Sequence, residues 1–419
     1  QYAVSPNGEY TAMTIRGEIF IKANDEDIRR AVNVSKHPYR DQSPTWVNDS
    51  TLIFSSDRDG QYDLYMVTSN DASKTDLFKT LKFATTRLTS TPEDETNPLV
   101  SPNGEKIAFR RDRGGLIVAD IDANSGLSNE LALLDGWSTP GGVTWSPDNQ
   151  WIAYALDDLN FNSEVYIHDV KNEMEPVNVS MHPRGDMSPF WSADGSKLGF
   201  LSDRNNGDYD LWFVWLQEDE WLKSEEDRED GFYFDTASES DDDPSVQIQI
   251  DFNDIHERLW QVTSMPGNEG NLVISNDGET FFFTASSPAD RGSDLFSIGF
   301  DRDDMKQLTK GGQNPGRITL GPNGESLFSV SRGALKQIDP QSGSMTSLPF
   351  TARMTVDHSR EREQIFEEAW RALSKGFYDP QFHGKDWAAL KETYKPWALA
   401  GTTTQDFRYL FNRMLGQLN

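Results

Sequence analysis

The chain has 419 residues, enough for two or more domains, and its 68 Asp and Glu against 39 Lys and Arg give a formal net charge of −29. Such an acidic surface repels phosphate backbones, so no nucleic-acid partner is expected. The absence of cysteine excludes disulfides and thiol catalysis. No run of 18 apolar residues occurs, so no membrane span is expected.

A short phrase recurs seven times in the first 350 residues, and we call it the repeat phrase. Its fullest form is Val-Ser-Pro-Asn-Gly, and an apolar run follows within a few residues. The spacings between copies are 42, 54, 45, 46, 83 and 46 residues, a period typical of β-propellers. The copies begin at Val4, Trp46, Val100, Trp145, Trp191, Ile274 and Leu320.

Each repeat phrase predicts a tight turn between two buried strands, because Pro fixes φ and Gly or Asn accepts positive φ. A Ser-Asp-Arg segment then leads to a third strand at Ser56–Arg58 and at Ser202–Arg204. A Leu-Thr or Val-Thr pair, such as Leu88–Thr89, closes the unit. We therefore predict an all-β fold for residues 1–350, a seven-bladed β-propeller of four-stranded antiparallel blades.

The spacing of 83 residues contains an acidic insertion at about 217–245. Between Glu218 and Asp243 there are 13 acidic residues, against Lys223 and Arg228. The low apolar content and the like charges predict a solvated excursion on the surface. A binding role for the insertion is the alternative.

Residues 351–419 predict a small, truncated α-helical domain. A first helix carries apolar residues from Ile365 to Leu373 on one face, and a second is predicted from Asp386 to just before Pro396. Thr403 predicts the N-cap of a third helix, whose apolar stripe ends at Leu418. Three short helices are too few for an independent core. The stripe, without its natural cover, is expected to promote self-association into a homo-oligomer.

Sequence motifs for catalysis are missing. Neither Gly-x-Ser-x-Gly nor His-Glu-x-x-His nor a phosphate-binding loop occurs, so we predict no catalytic residue, no metal ligand and no cofactor.

His37 and His182 precede Pro in equivalent loops and are interpreted as loop residues rather than a metal pair. Asp158–Glu164 alternates oxygen ligands but lacks the central Gly of a calcium loop, which favours a hairpin tip. Ser146–Trp151 faintly resembles the Asp-box of sialidases, where that box is a structural turn.

The segment from Trp145 to Tyr154 resembles the propeller repeat of the TolB and tricorn protease families. The tail is similar to the helical segment that follows the second propeller of tricorn-like serine proteases, which are relatives of the tail-specific proteases. The residues that carry this second resemblance are Arg16–Phe20, Ser188–Phe190, Phe366–Arg371, Phe377–Pro380, His383–Trp387, Tyr394 and Met414–Asn419.

The resemblance implies a parent protein that is a serine peptidase. In that family the catalytic histidine follows a Gly-Glu-Leu-Asn phrase, which appears here as Gly-Gln-Leu-Asn at Gly416–Asn419. The catalytic histidine, the catalytic serine and a PDZ domain are therefore expected in missing C-terminal domains, and the chain alone is expected to be inactive. His383 is expected to pack or cap near a helix start. The propeller is expected to admit or dock peptide or unfolded-protein substrates through its central channel, for which no lining residue is predicted.

Two alternatives stay open. A TolB-like propeller would be a protein-binding module without any catalytic half. A propeller of a prolyl-oligopeptidase-like enzyme would precede a hydrolase domain with Gly-x-Ser-x-Gly, and the helical tail counts against it. The start at Gln1 resembles a processed chain, so we expect a periplasmic or exported location, with the cytoplasm as the alternative.

Overall fold

The structure is a computed structural model that describes residues 1–122, 126–205, 207–224, 246–286 and 291–418. Its strands form seven antiparallel sheets, and each sheet consists of four strands that are consecutive in the chain. A small helical segment follows the last sheet. The predicted fold, a seven-bladed propeller with a C-terminal helical segment, is confirmed.

The sheets are blades 1 to 7 in chain order. Blades 1 to 4 contain β1 (Tyr2–Val4), β2 (Tyr10–Ile15), β3 (Glu18–Ala23), β4 (Ala31–Asn33); β5 (Asp41–Asn48), β6 (Thr51–Ser56), β7 (Asp63–Ser69), β8 (Phe83–Arg87); β9 (Glu95–Val100), β10 (Lys106–Arg111), β11 (Gly115–Asp122), β12 (Gly126–Asp135); β13 (Gly141–Trp145), β14 (Trp151–Asp157), β15 (Ser163–Asp169) and β16 (Val177–Asn178). Blades 5 to 7 contain β17 (Asp186–Trp191), β18 (Lys197–Ser202), β19 (Asp210–Trp215), β20 (Leu259–Gln261); β21 (Gly270–Ile274), β22 (Thr280–Ser286), β23 (Ser293–Gly299), β24 (Lys306–Gln307); β25 (Ile318–Leu320), β26 (Leu327–Ser331), β27 (Ala334–Ile338) and β28 (Met345–Ser347).

Each repeat phrase forms the turn between the first and second strands of its blade. In blade 1 the Ser5 hydroxyl accepts from the Tyr10 N–H at 3.0 Å and donates to the Asn7 side chain at 2.7 Å. Gly8 takes φ +74°, a conformation that a residue without Cβ adopts at no steric cost. In blade 4 Asn149 takes the same role with φ +64°. The phrase is therefore a self-contained turn.

The tryptophans that open three of the repeat phrases also connect neighbouring blades. Each indole N–H donates to a carbonyl of the innermost strand of the preceding blade, which satisfies a buried donor. The pairs are Trp46 with Ala3 at 3.1 Å, Trp145 with Leu99 at 2.9 Å, and Trp191 with Thr144 at 3.4 Å.

The Leu-Thr and Val-Thr pairs close their blades through one repeated hydrogen bond. The hydroxyls of Thr89, Thr263 and Thr309 accept from the N–H groups of Leu64, Leu211 and Leu295, at 2.9, 2.8 and 2.9 Å. All three threonines are buried. Each bond ties the end of the fourth strand to the start of the third, so the pair ends a blade for a structural reason.

Blades 1 and 7 close the ring without sharing a strand. The Tyr2 hydroxyl donates to the carbonyls of Arg317 and Phe328, at 2.7 and 2.8 Å. Tyr2 packs with Phe328 and Leu335 in one buried apolar cluster. A single parallel bridge between Arg30 and Thr351 adds a backbone connection.

Four helices occur among the described residues, and three of them lie C-terminal to the propeller. Thr403 forms a complete capping box with Asp406, as predicted, and Asp357 and Asp386 cap the two helices before it. The helices are α1 (Glu218–Leu222), α2 (His358–Gly376), α3 (Trp387–Ala400) and α4 (Thr404–Leu415), with single 3-10 turns at Ile255–Glu257, Phe382–Gly384 and Gly416–Leu418.

The predicted end of the second helix before Pro396 is wrong. Helix α3 continues through Pro396 to Ala400. Proline removes the hydrogen bond to the carbonyl of Glu392, but Glu392 is exposed to water, which can solvate that carbonyl. The buried residues Tyr394 and Ala398 pack on either side of the proline, so tertiary contacts outweigh the local penalty.

The expectation that the stripe from Phe407 to Leu418 lacks a cover is also wrong. Phe407, Met414 and Leu418 are buried in one cluster with Phe366 of α2 and Trp387 of α3. The three helices thus bury their apolar faces against each other and share a small core. The structural ground for predicting self-association is removed, and a homo-oligomer stays a prediction without it.

The acidic insertion leaves the propeller between β19 and β20 of blade 5. Most of it, residues 225–245, lies outside the described residues, so the predicted solvated excursion is not tested. The predicted domain boundary near residue 350 falls between Ser347, where β28 ends, and His358, where α2 begins. Among the described helices, none combines the length and apolar composition that a bilayer crossing demands.

Candidate functional site

The candidate site is the axial channel of the propeller. A cavity of about 770 Å³ is lined by residues from the first strand of all seven blades, which are therefore the innermost strands. Its volume is within the range of ligand-binding cavities. The lining combines polar residues with buried prolines and aliphatic side chains.

Seven lining residues occupy one equivalent position, and we call them the channel ring. Each lies three residues before the first residue of a repeat phrase, at or near the start of an innermost strand. All are polar or glycine, and all are exposed or half-buried. The members are Gln1, Ser43, Asn97, Gly142, Ser188, Asn271 and Arg317.

A repeated β-bulge presents the ring to the channel. Five members adopt left-handed backbone conformations, with φ between +52° and +61°: Ser43, Asn97, Gly142, Ser188 and Asn271. The pairing register shifts by one residue at each of them. A bulge of this type kinks the strand and redirects a side chain. Because the bulge recurs in five blades, it is a regular feature of the channel wall.

Neighbouring ring members are connected by hydrogen bonds in blades 1 to 3. The Ser43 N–H donates to the Gln1 side chain at 2.7 Å, and the Ser43 hydroxyl lies 3.3 Å from the Asn97 amide oxygen. These amide and hydroxyl groups can donate to and accept from a peptide backbone. The ring can therefore solvate an extended chain without reading its sequence.

The helical segment packs against blades 1 to 3 on one face of the propeller, the face where one mouth of the channel opens. Helix α2 contacts the loops there through Arg371, which donates to the Gly60 carbonyl at 2.6 Å, and Lys375, which lies 2.7 Å from both Asp94 and Asp112. The innermost strands begin on this face, since β5 starts at Asp41 opposite Ser56, the last residue of β6. The channel ring is thus nearer to the helical mouth than to the opposite one.

The Ser-Asp-Arg segments of blades 2 and 5 line this same face and have matching contacts. Arg58 lies 2.9 Å from the buried Asp41, and Arg204 lies 3.0 Å from the buried Asp186. Burial raises the pKa of both carboxyls, and the adjacent guanidinium opposes that rise. The segments therefore hold the start of an innermost strand to the end of its neighbour.

Asp57, the middle residue of the blade-2 segment, connects the propeller to α2. One carboxylate oxygen accepts from the Arg40 N–H at 2.8 Å, and the other accepts from the Gln364 side chain at 2.9 Å. Asp57 is only 2% exposed. The helical segment is thus seated on a buried, hydrogen-bonded carboxylate.

In blade 6 the equivalent buried acid, Glu269, stands next to a second acid instead of an arginine. Burial, together with the nearby Asp210 carboxylate, raises the pKa of Glu269 to about 8. The Thr263 hydroxyl donates to Glu269 at 2.9 Å, and within the described residues its other carboxylate oxygen has no hydrogen-bond partner. Glu269 is therefore held largely protonated at neutral pH.

The other residues considered in the sequence lie outside the channel. His383 sits in the 3-10 turn Phe382–Gly384, and its ring nitrogens contact the Tyr378 hydroxyl and the Leu418 carbonyl. His37 and His182 lie in loops after β4 and β16, in different blades. In the described part of the chain, no three metal-ligating side chains come together.

The segment predicted as a hairpin tip with a calcium loop as the alternative connects β14 and β15. The Asp158 carboxylate accepts from the N–H groups of Asn160 and Asn162, at 2.7 and 3.0 Å. One carboxylate oxygen therefore holds the loop backbone, which is the function of an Asx-turn at a hairpin tip.

Comparison with known proteins bears first on the helical segment. Residues 358–416 match the family model of the Tricorn protease C1 domain. The predicted resemblance to tricorn-like proteases is confirmed. A tricorn-like protease C-terminal subunit of Sulfurisphaera tokodaii is 22% identical in an alignment of 351 residues, which covers 76% of this chain and 38% of that protein.

One solved structure shares the fold over the whole chain. The crystal structure of the tricorn protease superposes with a TM-score of 0.76 at 13% identity, over 100% of this chain and 40% of that one. At such identity the likeness concerns the fold alone. A TolB from Agrobacterium tumefaciens gives a TM-score of 0.44 at 15% identity, over 63% of this chain and 84% of that one. The chain thus spans about two fifths of the length of these tricorn relatives.

The channel ring was missed by the sequence analysis, although the sequence contains its signal. The repeat phrases fix the register of all seven innermost strands, so the ring follows by counting three residues back from each phrase. The side chains themselves share no single type. Only the repeated position identifies them, and the propeller makes that position face the axis.

Proposed function

We propose that the chain is the non-catalytic N-terminal part of a tricorn-like serine peptidase, and that its propeller controls the access of peptide or unfolded-protein substrates through the axial channel. The observation that carries the proposal is the polar channel ring, one residue from each blade around a cavity of about 770 Å³. A ring of this kind accepts an extended chain and excludes a folded domain by size.

The position of the helical segment supports the same function. It packs against blades 1 to 3 on the face where one mouth of the channel opens, and it is similar to the Tricorn protease C1 domain. A substrate that leaves the channel on this side would emerge beside that segment. The catalytic serine and histidine and a PDZ domain are proposed to be contributed by other parts of the parent protein, so the chain alone is expected to be inactive.

The absence of cysteine allows a sharp test of access through the channel. In Ser43→Cys the new thiol is unique and lies in the channel ring, so a bulky maleimide label would fill the passage. The matched control is Ser347→Cys, which places the same label on the exposed, outermost strand β28. Fluorescence anisotropy of an unstructured, fluorescent peptide measures binding.

We expect labelled Ser43→Cys to lose peptide binding by about tenfold or more, since such a loss corresponds to roughly 1.4 kcal/mol. Unlabelled Ser43→Cys and labelled Ser347→Cys should bind as the unchanged chain does. Equal binding by all four proteins would refute a role of the channel. It would leave the alternative of a TolB-like module that binds a protein on its outer surface.

The proposal also includes a compartment. A periplasmic or exported location, with the cytoplasm as the alternative, stays a prediction from the sequence. Fractionation of cells that express the full parent protein would distinguish the two.

A further inference from the structure

The lining of the channel differs in charge from the rest of the chain. The chain has 68 acidic residues among 419, yet none of the described residues that line the cavity is Asp or Glu. Two lining residues are cationic, Arg110 and Arg317. The channel is therefore locally positive inside a molecule with a net charge of −29.

Arg110 occupies a position at which the other blades have no charge. In blade 3 it lies on the second strand, β10, two residues after Ala108, which pairs with Leu99 on one side of the bulge. The register places uncharged residues at the equivalent positions of the other six blades. They are Thr14, Ser55, Ala155, Leu201, Thr284 and Val330. The architecture of a blade therefore does not require a guanidinium there.

The Arg110 side chain also has no partner that would account for its burial. Its Nε atom is buried and makes no hydrogen bond within the described residues. No ion pair forms between Arg110 and any of the described carboxylates, whereas the adjacent Arg111 pairs with Glu95 at 3.0 Å and with Glu130 at 2.7 Å. Burial lowers the pKa of the Arg110 guanidinium. A cation held in this way gains from a carboxylate ligand.

The neighbouring wall of the cavity leaves room for such a ligand. Blade 4 contributes Gly141 and Gly142, which have no side chains. Arg317, a member of the channel ring, is exposed in the same cavity. Both guanidinium groups can therefore be reached from the channel.

We propose that Arg110, assisted by Arg317, forms a carboxylate-binding subsite in the channel, which selects extended peptides that carry Asp, Glu or a free C-terminus. This inference rests on the proposed function, because it assumes that peptides enter the channel. It adds a preference for the charge of the substrate. The acidic outer surface repels such peptides, so the subsite would act on chains that have already reached the mouth.

The test uses four fluorescent peptides that differ only in charge. One pair has a central Glu or Gln, and each is made with a free or an amidated C-terminus. Binding is measured by anisotropy to the unchanged chain and to Arg110→Gln, Arg110→Lys and Arg317→Gln. The control Arg29→Gln removes the same charge from an exposed loop between β3 and β4, outside the cavity.

We expect the unchanged chain to bind the Glu peptide about tenfold more tightly than the Gln peptide, because a carboxylate forms stronger, charge-assisted hydrogen bonds with a guanidinium than an amide does. Arg110→Gln should abolish this ratio, Arg110→Lys should retain part of it, Arg317→Gln should reduce it, and Arg29→Gln should leave it unchanged. A dependence on the free C-terminus instead of Glu would identify the terminal carboxylate as the ligand.

The outcomes separate the two proposals. If all peptides bind equally and the variants change nothing, the carboxylate subsite is wrong and peptide access stands. If none of the peptides binds the unchanged chain, both proposals fail. Circular dichroism shows whether Arg110→Gln remains folded. If it unfolds, Arg317→Gln serves as the test, because Arg317 is exposed. An unchanged ratio of the affinities for the Glu and Gln peptides in Arg317→Gln would then contradict the subsite.

Discussion

The Ser-Asp-Arg segments of blades 2 and 5 have the same sequence and the same contacts inside their blades. The Arg58 side chain is 12% exposed and lies 4.6 Å from the ring centre of Tyr65. The Arg204 side chain is 8% exposed and lies 4.8 Å from the ring of Trp212. Each arginine neutralises a buried aspartate at the start of an innermost strand. The same local sequence therefore forms the same buried ion pair in two blades.

The surroundings of the two segments differ. In blade 2 the middle residue, Asp57, is covered by Gln364 of α2, whereas the side chain of Asp203 in blade 5 is 19% exposed and has Arg184 at 3.9 Å. The helical segment therefore uses one copy of a repeated element as its seat. Repetition thus produces equivalent surfaces, and the packing of a non-repeated segment makes one of them distinct.

The largest expected effect comes from removing either arginine. In Arg58→Ala and Arg204→Ala the buried Asp41 or Asp186 loses its cation, and we expect a loss of about 3 kcal/mol in the free energy of unfolding for each. Urea denaturation measures it, with Arg29→Ala as the control. A loss below about 1 kcal/mol in both variants would contradict the assigned role.

A smaller effect, confined to blade 2, is expected when the middle residue changes. Asp57→Ala removes the acceptor of Gln364 and a carboxylate 3.5 Å from Arg371, so docking of the helical segment should weaken by about 1–2 kcal/mol. Asp203→Ala is the matched control and should leave docking unchanged.

Docking is measured by energy transfer between dyes on Ser347→Cys and Tyr409→Cys, positions that are exposed in the propeller and in α4. The chain has no other thiol to react. Identical dye distances in Asp57→Ala and Asp203→Ala would show that the seat of α2 does not depend on Asp57.

The smallest expected effect concerns blade 6, where the buried Glu269 lies next to Asp210 of blade 5. The pKa of Glu269 rises from 4.5 to about 8, so between these values the folded state binds a proton that the unfolded chain releases. The contribution of Glu269 to stability is therefore greatest below pH 4.5 and falls as the pH rises towards 8, because the buried pair then gains a second negative charge.

Thermal unfolding across this pH range measures the effect. Glu269→Gln keeps the position neutral, so its midpoint should change less with pH than that of the unchanged chain. An equal pH dependence of both proteins would assign the titration to other carboxyls and exclude the Asp210–Glu269 pair as its source.

The repeat phrases alone were sufficient to predict the number of blades, their turns and their order. Each phrase contains its own turn, in which Ser5 and Asn7 bond within five residues, so distant contacts are not needed. The capping box at Thr403 was predictable for the same reason. The channel ring could also have been predicted from the sequence, because residues at the same offset from each repeat phrase occupy equivalent positions around the axis.

Other features depend on contacts between residues that are distant in the chain, and only the tertiary structure decided them. The end of α3 was mispredicted because packing of Tyr394 and Ala398 outweighs the local effect of Pro396. The stripe on α4 was mispredicted because its cover lies some 40 residues earlier in the chain, at Phe366.

The contact of α2 with Asp57 and the unpaired state of Arg110 were likewise decided only by the tertiary structure. Asp57 and Gln364 are 307 residues apart, and the partners available to Arg110 depend on how blades 3 and 4 face each other. A local pattern determines turns, strands and caps because their hydrogen bonds close within a few residues. Contacts between distant side chains depend on the angles at which whole blades and helices pack, and these are determined only when the complete chain folds.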